Sequence, residues 1–204
     1  MRTALIARNA GCSVVLSWWS LLTMAVFVGL LSASGPALAQ PANDLFENRI
    51  SVGLGTVTGT TVGATAEEGQ PFLDGSRNRR MVWWSHTAQQ RGQLTIDTCG
   101  SAQDTILGVF TGDTLGSLTR VAESRSGCSG VIINTEAGVT YTIAVAHRHG
   151  SWPFRLTVGL VPAPSNDLFE NRLSIGLGTV TGTTAAATAE EGQPFLDGAM
   201  AEFG

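Results

Sequence analysis

Short apolar runs bounded by Gly, Asp, Asn and Ser fill residues 40–160 and constrain the fold more than any other feature. Apolar and polar residues alternate within most runs, as expected of strands with one buried face. The predicted strands are 56–61, 81–87, 92–98, 105–110, 118–122, 130–134, 140–146 and 154–160. With no comparable stretch of helical period, this spacing favours an all-β, antiparallel and jelly-roll-like β-sandwich of about eight strands.

The alternation also predicts which side chains are buried. Trp83 and Trp84 point to opposite faces of one strand, so we expect one in the central core and the other against a loop or solvent. The alternative for such a pair is a platform on which a sugar stacks. The predicted core residues are Trp83, Trp84, Ile96, Leu107, Phe110, Tyr141, Ile143 and Val145.

A long segment is duplicated. Residues 43–75 recur at 166–198 with 29 of 33 positions identical and an offset of 123, which suits one compact domain better than a solenoid. Residues 161–165, Val-Pro-Ala-Pro-Ser, predict a stiff linker between a domain at 40–160 and the second copy at 166–204. This second copy is too short to close a sandwich, so we expect an incomplete repeat, truncated from a longer array and either disordered or associated with a sheet edge.

The opening of each copy reads NDLFENR, and its first occurrence is the only stretch with a locally helical pattern. We predict a helical turn over 43–50, with Asn43 or Asp44 as its N-cap. Because the two copies carry nearly the same side chains, the second could also compete for the place of the first, which between molecules is a strand swap.

The first 39 residues read as a signal peptide. Arg2 and Arg8 precede an apolar stretch at 14–31, and Ala37-Leu38-Ala39 predicts cleavage between Ala39 and Gln40. The alternative is an uncleaved membrane anchor, which would be the chain's only contact with a membrane. We therefore expect a secreted, periplasmic or extracellular protein.

Cysteine content and charge agree with that location. Residues 40–204 contain two cysteines, Cys99 and Cys128, which predict one disulfide worth about 3 to 4 kcal/mol by loop closure. The alternative of a metal-binding or catalytic cysteine pair lacks neighbouring ligands at suitable spacing. Residues 40–204 contain ten arginines, no lysine and sixteen acidic residues, which gives a formal net charge of −6. This charge argues against nucleic acid as a partner. The densest basic run, 77–80, is interpreted as a solvated loop.

Several stretches in order resemble the bacterial pre-peptidase C-terminal domain, a β-sandwich module of secreted proteins that often occurs in tandem. The resemblance covers residues 43–160. It rests on Asn43-Asp44-x-Phe46, Gly59-Thr60-Thr61, Gly63-Ala64-Thr65, Glu68-Gly69-Gln70-Pro71, Val82-Trp83-Trp84, Asp97-Thr98-x-Gly100-Ser101-x-x-Asp104-Thr105-x-Leu107, Val109-Phe110-Thr111-Gly112 and Ala137-Gly138-x-Thr140-Tyr141-x-Ile143-x-Val145. The chain departs from the family at His86, where an aromatic residue is common, and at 123–125, where an acidic cluster is common.

The resemblance implies calcium for some relatives, and the candidate ligands here are Asp97, Asp104 and Asp113, at the ends of predicted strands. Turn chemistry explains the same carboxylates without a metal, because Asp side chains accept hydrogen bonds from nearby backbone N–H groups. We therefore expect no cofactor, with calcium as the alternative.

No catalytic constellation is visible in the sequence. Ser85 and His86 are adjacent in a strand and face opposite ways, so they cannot form a triad, and His147 and His149 lack a third metal ligand. We predict a noncatalytic extracellular binding or accessory module that binds a protein, a glycan or a surface through its loops. The alternatives are an accessory domain of a secreted hydrolase, with its catalytic part on another segment, and a strand-swapping self-associating protein. A small hydrolase with an unrecognised triad is the enzyme alternative.

Overall fold

The structure, a computed structural model, describes residues 39–76 and 79–192. These residues contain nine strands: β1 (Ile50–Ser51), β2 (Gly55–Thr60), β3 (Met81–Thr87), β4 (Gly92–Asp97), β5 (Thr105–Thr111), β6 (Thr119–Ser124), β7 (Gly130–Thr135), β8 (Thr140–His147) and β9 (Pro153–Pro162). The helical elements are three 3₁₀ turns, at Phe46–Asn48, Leu115–Ser117 and Phe169–Asn171. The predicted signal segment up to residue 38, Arg77 of the basic run and the end of the second copy from residue 193 lie outside the described residues.

The strands form two sheets that face each other. One sheet has the order β1-β3-β8-β5-β6 and the other β2-β9-β4-β7, and every pair is antiparallel except β1 with β3. The prediction of an all-β sandwich is therefore confirmed, with nine strands rather than about eight. The additional strand is β1, whose two residues give no periodicity that a sequence pattern could reveal.

Two apolar clusters hold the sandwich together. The larger lies between the sheets and includes Trp84, Ile143 and Leu156. The smaller covers the outer face of the five-stranded sheet, where Trp83 meets the ring of Phe46 edge-on at 5.5 Å. Adjacent tryptophans thus serve opposite faces of β3, one in the central core and one beneath a loop segment. All eight residues predicted as core are buried, at 5% exposure or less.

The opening segment of the domain adds a strand to each sheet. Beside β3, Ile50 pairs with Trp84, and beside β9, Val57 pairs with Leu156. Each edge supplies unpaired backbone groups, which the segment satisfies. One continuous segment, residues 50–60, therefore closes both sheets on the same side.

The predicted helical turn over 43–50 is wrong in extent and in its cap. Only Phe46–Asn48 forms a 3₁₀ turn, its N-cap is Leu45, and no side chain caps it. Asn43 instead donates from Nδ2 to the carbonyl of Trp83 at 2.8 Å, and Asp44 accepts from Thr65. Residues distant in sequence attract both polar side chains more strongly than the local turn does.

Cys99 and Cys128 form the predicted disulfide, which links the loop after β4 to the loop before β7. Their Cα atoms are 4.6 Å apart. In residues 39–76 and 79–192, no helix is long and apolar enough to cross a membrane.

Gly59 marks the place where β2 passes closest to the core. A Cβ there would lie 2.7 Å from the ring of Phe154 and 2.8 Å from that of Trp84, both buried. We expect Gly59→Ala to lower the free energy of unfolding by about 1 to 3 kcal/mol, because two buried rings would have to shift to admit the added methyl group. Urea unfolding followed by tryptophan fluorescence measures this effect.

The duplication supplies the matched control. Gly182 occupies the equivalent position of the second copy, and nothing lies within 4 Å of a Cβ built there. Gly182→Ala should leave the unfolding curve unchanged. Equal effects of the two substitutions would show that close packing against the rings is not the cause.

Candidate functional site

Four loops gather at one end of the sandwich, which we call the loop end. Because neighbouring strands run antiparallel, the segments 61–80, 98–104, 125–129 and 148–152 all lie where β2, β4, β6 and β8 finish. Polar and charged side chains concentrate there. Binding residues are often carried by loops that a rigid scaffold positions, so this end is the candidate functional site.

Asp74 is the anchor of the loop end. Its carboxylate lies 2.7 Å from Nη2 of Arg79, 2.9 Å from Nη1 of Arg125 and 3.8 Å from Nε of Arg148. Its backbone has a φ of +50°, a left-handed conformation that Asp tolerates better than most residues. The backbone N–H of Asp74 donates to Oε1 of Glu123 at 2.8 Å. A single carboxylate therefore binds arginines from three separate loops.

Arg79 ties two of these loops together. Its guanidinium donates to the carbonyls of Leu73 and Arg148 at 3.2 and 3.1 Å, in addition to its ion pair with Asp74. Its side chain is only 17% exposed. The interpretation of 77–80 as a solvated loop is therefore wrong for Arg79, which fastens the segment before β3 to the β8–β9 hairpin. Arg80, by contrast, is exposed.

The charges of the loop end are layered. The side chains of Asp74 and Glu123 are only 13% and 9% exposed, so their carboxylates lie below the surface. The side chains of Arg125 and Arg148 are 58% and 47% exposed. The outermost groups are thus guanidinium groups on a chain whose net charge is negative. Exposed guanidinium groups favour anions, above all carboxylates, which they can bind with two parallel hydrogen bonds.

A shallow groove runs beside these arginines. It has a volume of about 220 Å³ and is lined by Ser76, Arg79, Arg80, His147, Arg148 and Gly150. Trp152, which is 47% exposed, lies beside Gly150 of this groove: its indole nitrogen would be 3.0 Å from a Cβ built on Gly150. The backbone of Trp152 is held by two hydrogen bonds to Thr61, both of 3.1 Å. An aromatic surface therefore sits on a fixed backbone next to exposed positive charge.

His147 closes the interior of the sandwich beneath this groove. Its Nδ1 is 2.9 Å from Oγ1 of Thr61, and its Nε2 has no partner among the described residues. The side chain is 5% exposed, and desolvation by burial lowers the pKa of this imidazole from its usual 6.5. His147 is accordingly a neutral structural group at pH 7.

The three candidate calcium ligands do not converge. Asp97 and Asp104 lie at the loop end, whereas Asp113 follows β5 and lies at the opposite end. Oδ1 of Asp97 accepts from the backbone N–H of Cys99 at 2.9 Å, as expected of a turn residue. Across residues 39–76 and 79–192, no three His, Cys, Asp or Glu side chains are grouped so that they could hold a metal ion. Because β5 spans the sandwich between Asp104 and Asp113, nearness in sequence does not become nearness in space.

The histidines are likewise separate. Nδ1 of His86 lies 2.9 Å from the carbonyl of Val52, far from the loop end, while His149 is exposed in the β8–β9 hairpin. His86 and Ser85 face opposite sides of β3, as the sequence predicts. The loop end therefore offers hydrogen-bond donors and positive charge for binding. The hydroxyl that lies beside an imidazole there, Oγ1 of Thr61 next to Nδ1 of His147, is buried and not open to a substrate.

Sequence reasoning missed the arginine cluster. Asp74, Arg125 and Arg148 are separated by 51 and 23 positions, and none belongs to a recognisable motif. A weak signal was present, because Arg79, Arg80, Arg125 and Arg148 all fall in stretches predicted to be loops. Only the strand order shows that those loops meet.

No family model matches the chain, and no curated protein matches it either. Among solved structures, it is similar to the pre-peptidase C-terminal domain of a collagenase from Bacillus anthracis, with 11% identity and a TM-score of 0.38 over 54% of this chain and 94% of that one. It is also similar to PliG of Aeromonas hydrophila, a periplasmic lysozyme inhibitor of g-type lysozyme, with 16% identity and a TM-score of 0.38 over 55% and 96% of the chains.

The buried imidazole predicts a pH dependence of stability. Because the pKa of His147 is lowered in the folded state, the unfolded chain binds the proton more readily, and stability contributed by the neutral ring is lost as pH falls below about 6.5. We expect His147→Gln to flatten the profile of unfolding free energy between about pH 7 and pH 5. Chemical unfolding at a series of pH values provides the measurement.

His149→Gln is the control, since this exposed histidine lies two positions away. That variant should keep the wild-type profile. A wild-type slope that survives in His147→Gln would assign the pH dependence to other groups.

Proposed function

We propose that the sandwich is a noncatalytic extracellular binding module that holds a carboxylate-bearing partner at its loop end. The observation that carries the proposal is the layering of charge, with guanidinium groups exposed above the partly buried carboxylates of Asp74 and Glu123. Ion pairs with Asp74 hold Arg125 and Arg148, so these two side chains have less freedom to lose when a partner binds.

The extracellular part of the proposal is supported by the disulfide between Cys99 and Cys128, since such bonds persist in oxidising compartments. The signal-like sequence of residues 1–39 supports the same location. The noncatalytic part is supported by the burial of His147 together with the Thr61 hydroxyl beside it, which keeps this pair away from a substrate, and by the distance of His86 from the loop end.

Two features of the groove match a carboxylate on an extended partner. Arg80 and Arg148 line it, so a carboxylate could accept from both guanidinium groups. Trp152 adds an exposed apolar face beside them, against which a sugar ring or an aliphatic side chain can pack. A protein and a glycan partner share this chemistry, and binding to polyglutamate or to polygalacturonate distinguishes them.

The test is the affinity of the full chain for these two polyanions, with neutral dextran as the reference polymer. Binding to one polyanion should weaken with added salt, and Arg80→Glu with Arg148→Glu should reduce affinity about tenfold or more. Arg79 is left intact because it fastens two loops. Thermal unfolding of the double variant checks that the sandwich is retained.

Arg172→Glu is the charge-matched control. This arginine lies in the second copy, where its guanidinium stacks on the ring of Phe169 at 4.6 Å. It should leave affinity for the polyanion unchanged. An equal loss in Arg172→Glu, or equal binding to dextran, would contradict a specific site at the loop end.

A further inference from the structure

The described part of the second copy, residues 166–192, reproduces the local contacts of the first without its strands. Thr188 donates from its backbone N–H and its Oγ1 to Asp167 at 2.8 and 2.7 Å, as Thr65 does to Asp44 at 2.7 Å in both bonds. Phe169 donates from its backbone N–H to Glu190 at 2.9 Å, as Phe46 does to Glu67. We call this pair of contacts the hook. Its partners are 21 positions apart in both copies, so the same sequence makes the same contacts in two different surroundings.

The side chains that anchor the first copy are exposed in the second. Phe46 and Val52 are 6% and 7% exposed, whereas their counterparts Phe169 and Ile175 are 70% and 66% exposed. The difference comes from the environment, because Phe46 packs on Trp83 and Val52 donates its N–H to the carbonyl of Ser85. No strand forms in 166–192.

The shape of the segment is nevertheless kept. In the first copy, a groove of about 530 Å³ is lined by residues of 41–60 together with Trp84 and Pro153. In the second copy, a groove of about 520 Å³ is lined by residues of 164–183 alone, each of them at a position equivalent to a lining residue of the first. The second copy therefore keeps the same residues around a groove of similar volume without Trp84 and Pro153.

We propose that residues 166–183 are a second donor for the edges of β3 and β9, and that the acceptor is the sandwich of another copy of this chain. In that arrangement residues 178–183 replace β2 along β9, and Asn166 takes the place of Asn43 on Trp83. Asn43 makes two hydrogen bonds with the backbone of Trp83, at 2.8 and 2.9 Å, and Asn166 carries the same groups. This self-association is independent of the loop end.

One of the four differences between the copies sets the direction of the competition. Ile175 places one more methylene where Val52 is already buried. Ala186, the counterpart of Gly63, lies outside the donor and holds its φ of +57° before any exchange, so it does not affect the competition. Because of Ile175, the second copy is the weaker donor, by about tenfold. Exchange should rise with protein concentration and when the first copy is weakened.

Arg91 holds the second copy against the turn between β3 and β4 of its own sandwich. It lies between β3 and β4, donates from Nη2 to Oγ1 of Thr188 at 2.8 Å, and has Asp167 at 3.9 Å. Its carbonyl accepts the N–H of Ala163 at 3.1 Å, which fixes the linker to the same place. The hook is therefore held beside its own domain while the strand-forming side chains remain exposed.

A disulfide trap in the full chain tests the proposal. The hydroxyls of Thr56 and Thr157 face each other at 3.1 Å across β2 and β9, and Thr179 is the counterpart of Thr56. The variant Thr157→Cys with Thr179→Cys should give crosslinked dimers on a non-reducing gel, in a yield that rises with concentration. The matched variant Thr56→Cys with Thr157→Cys should crosslink within one chain.

Single-cysteine variants separate exchange from random collision. Thr179→Cys alone should give about tenfold less dimer than the pair; an equal yield would overturn the proposal. A Thr157/Thr179 crosslink found only within one chain would also overturn it, because the second copy would then occupy its own sandwich. Absence of any crosslink at millimolar protein would have the same consequence.

Matched substitutions in the two copies give an independent reading. Phe46→Ala weakens the resident copy, so the yield of trapped dimer should rise about tenfold or more, whereas Phe169→Ala weakens the donor and should lower it. If Phe46→Ala unfolds the sandwich, the milder pair Asn43→Ala and Asn166→Ala applies the same comparison. Equal yields from the two members of a pair would contradict exchange at these edges.

Discussion

Pairing of the opening segment with two sheet edges at once is the constraint on which the rest of the sandwich depends. Residues 50–60 lie beside β3 in one sheet and β9 in the other, so a single segment covers both edges on one side. Backbone groups at a sheet edge need partners, and the segment supplies them while Val52 and Phe46 cover the two apolar clusters. The same sequence in 166–192 has no such edges beside it and forms no strand.

Comparing the two copies therefore shows which contacts the segment makes in both surroundings and which ones depend on neighbouring strands. The hook between Asp44 and Thr65 recurs between Asp167 and Thr188 with nearly the same distances, which shows that it does not require pairing with the sheet edges. Strand formation and burial of Phe46 do not recur, which shows that β3 and β9 direct them. The hydrogen bonds of the hook hold the turn geometry of the segment, which offsets part of its conformational entropy cost. The sheet edges supply the apolar burial that the second copy lacks.

The loop end depends on a different interaction, the binding of three arginines by Asp74. Eight strands could be predicted from alternation with boundaries close to those observed, because the pattern of buried and exposed residues is local. The arginine cluster could not, because Arg79, Arg125 and Arg148 meet only through the order of the strands. The predicted caps at Asn43 and Asp44 failed for a related reason: their partners are Trp83 and Thr65, at distances in sequence that no capping pattern contains.

By itself, the sequence determined the all-β class, the positions of most strands and the disulfide pair. Each follows from a pattern of residues close in sequence, or from the single pairing open to the two cysteines of residues 40–204. Tertiary structure decided that Trp84 lies in the central core and Trp83 beneath the opening segment. It also decided that Arg79 is partly buried and connects two loops, and that only one of two nearly identical segments becomes β1 and β2. The physical reason is that burial and edge pairing depend on what the folded chain places beside a residue, and identical side chains in the two copies have different neighbours.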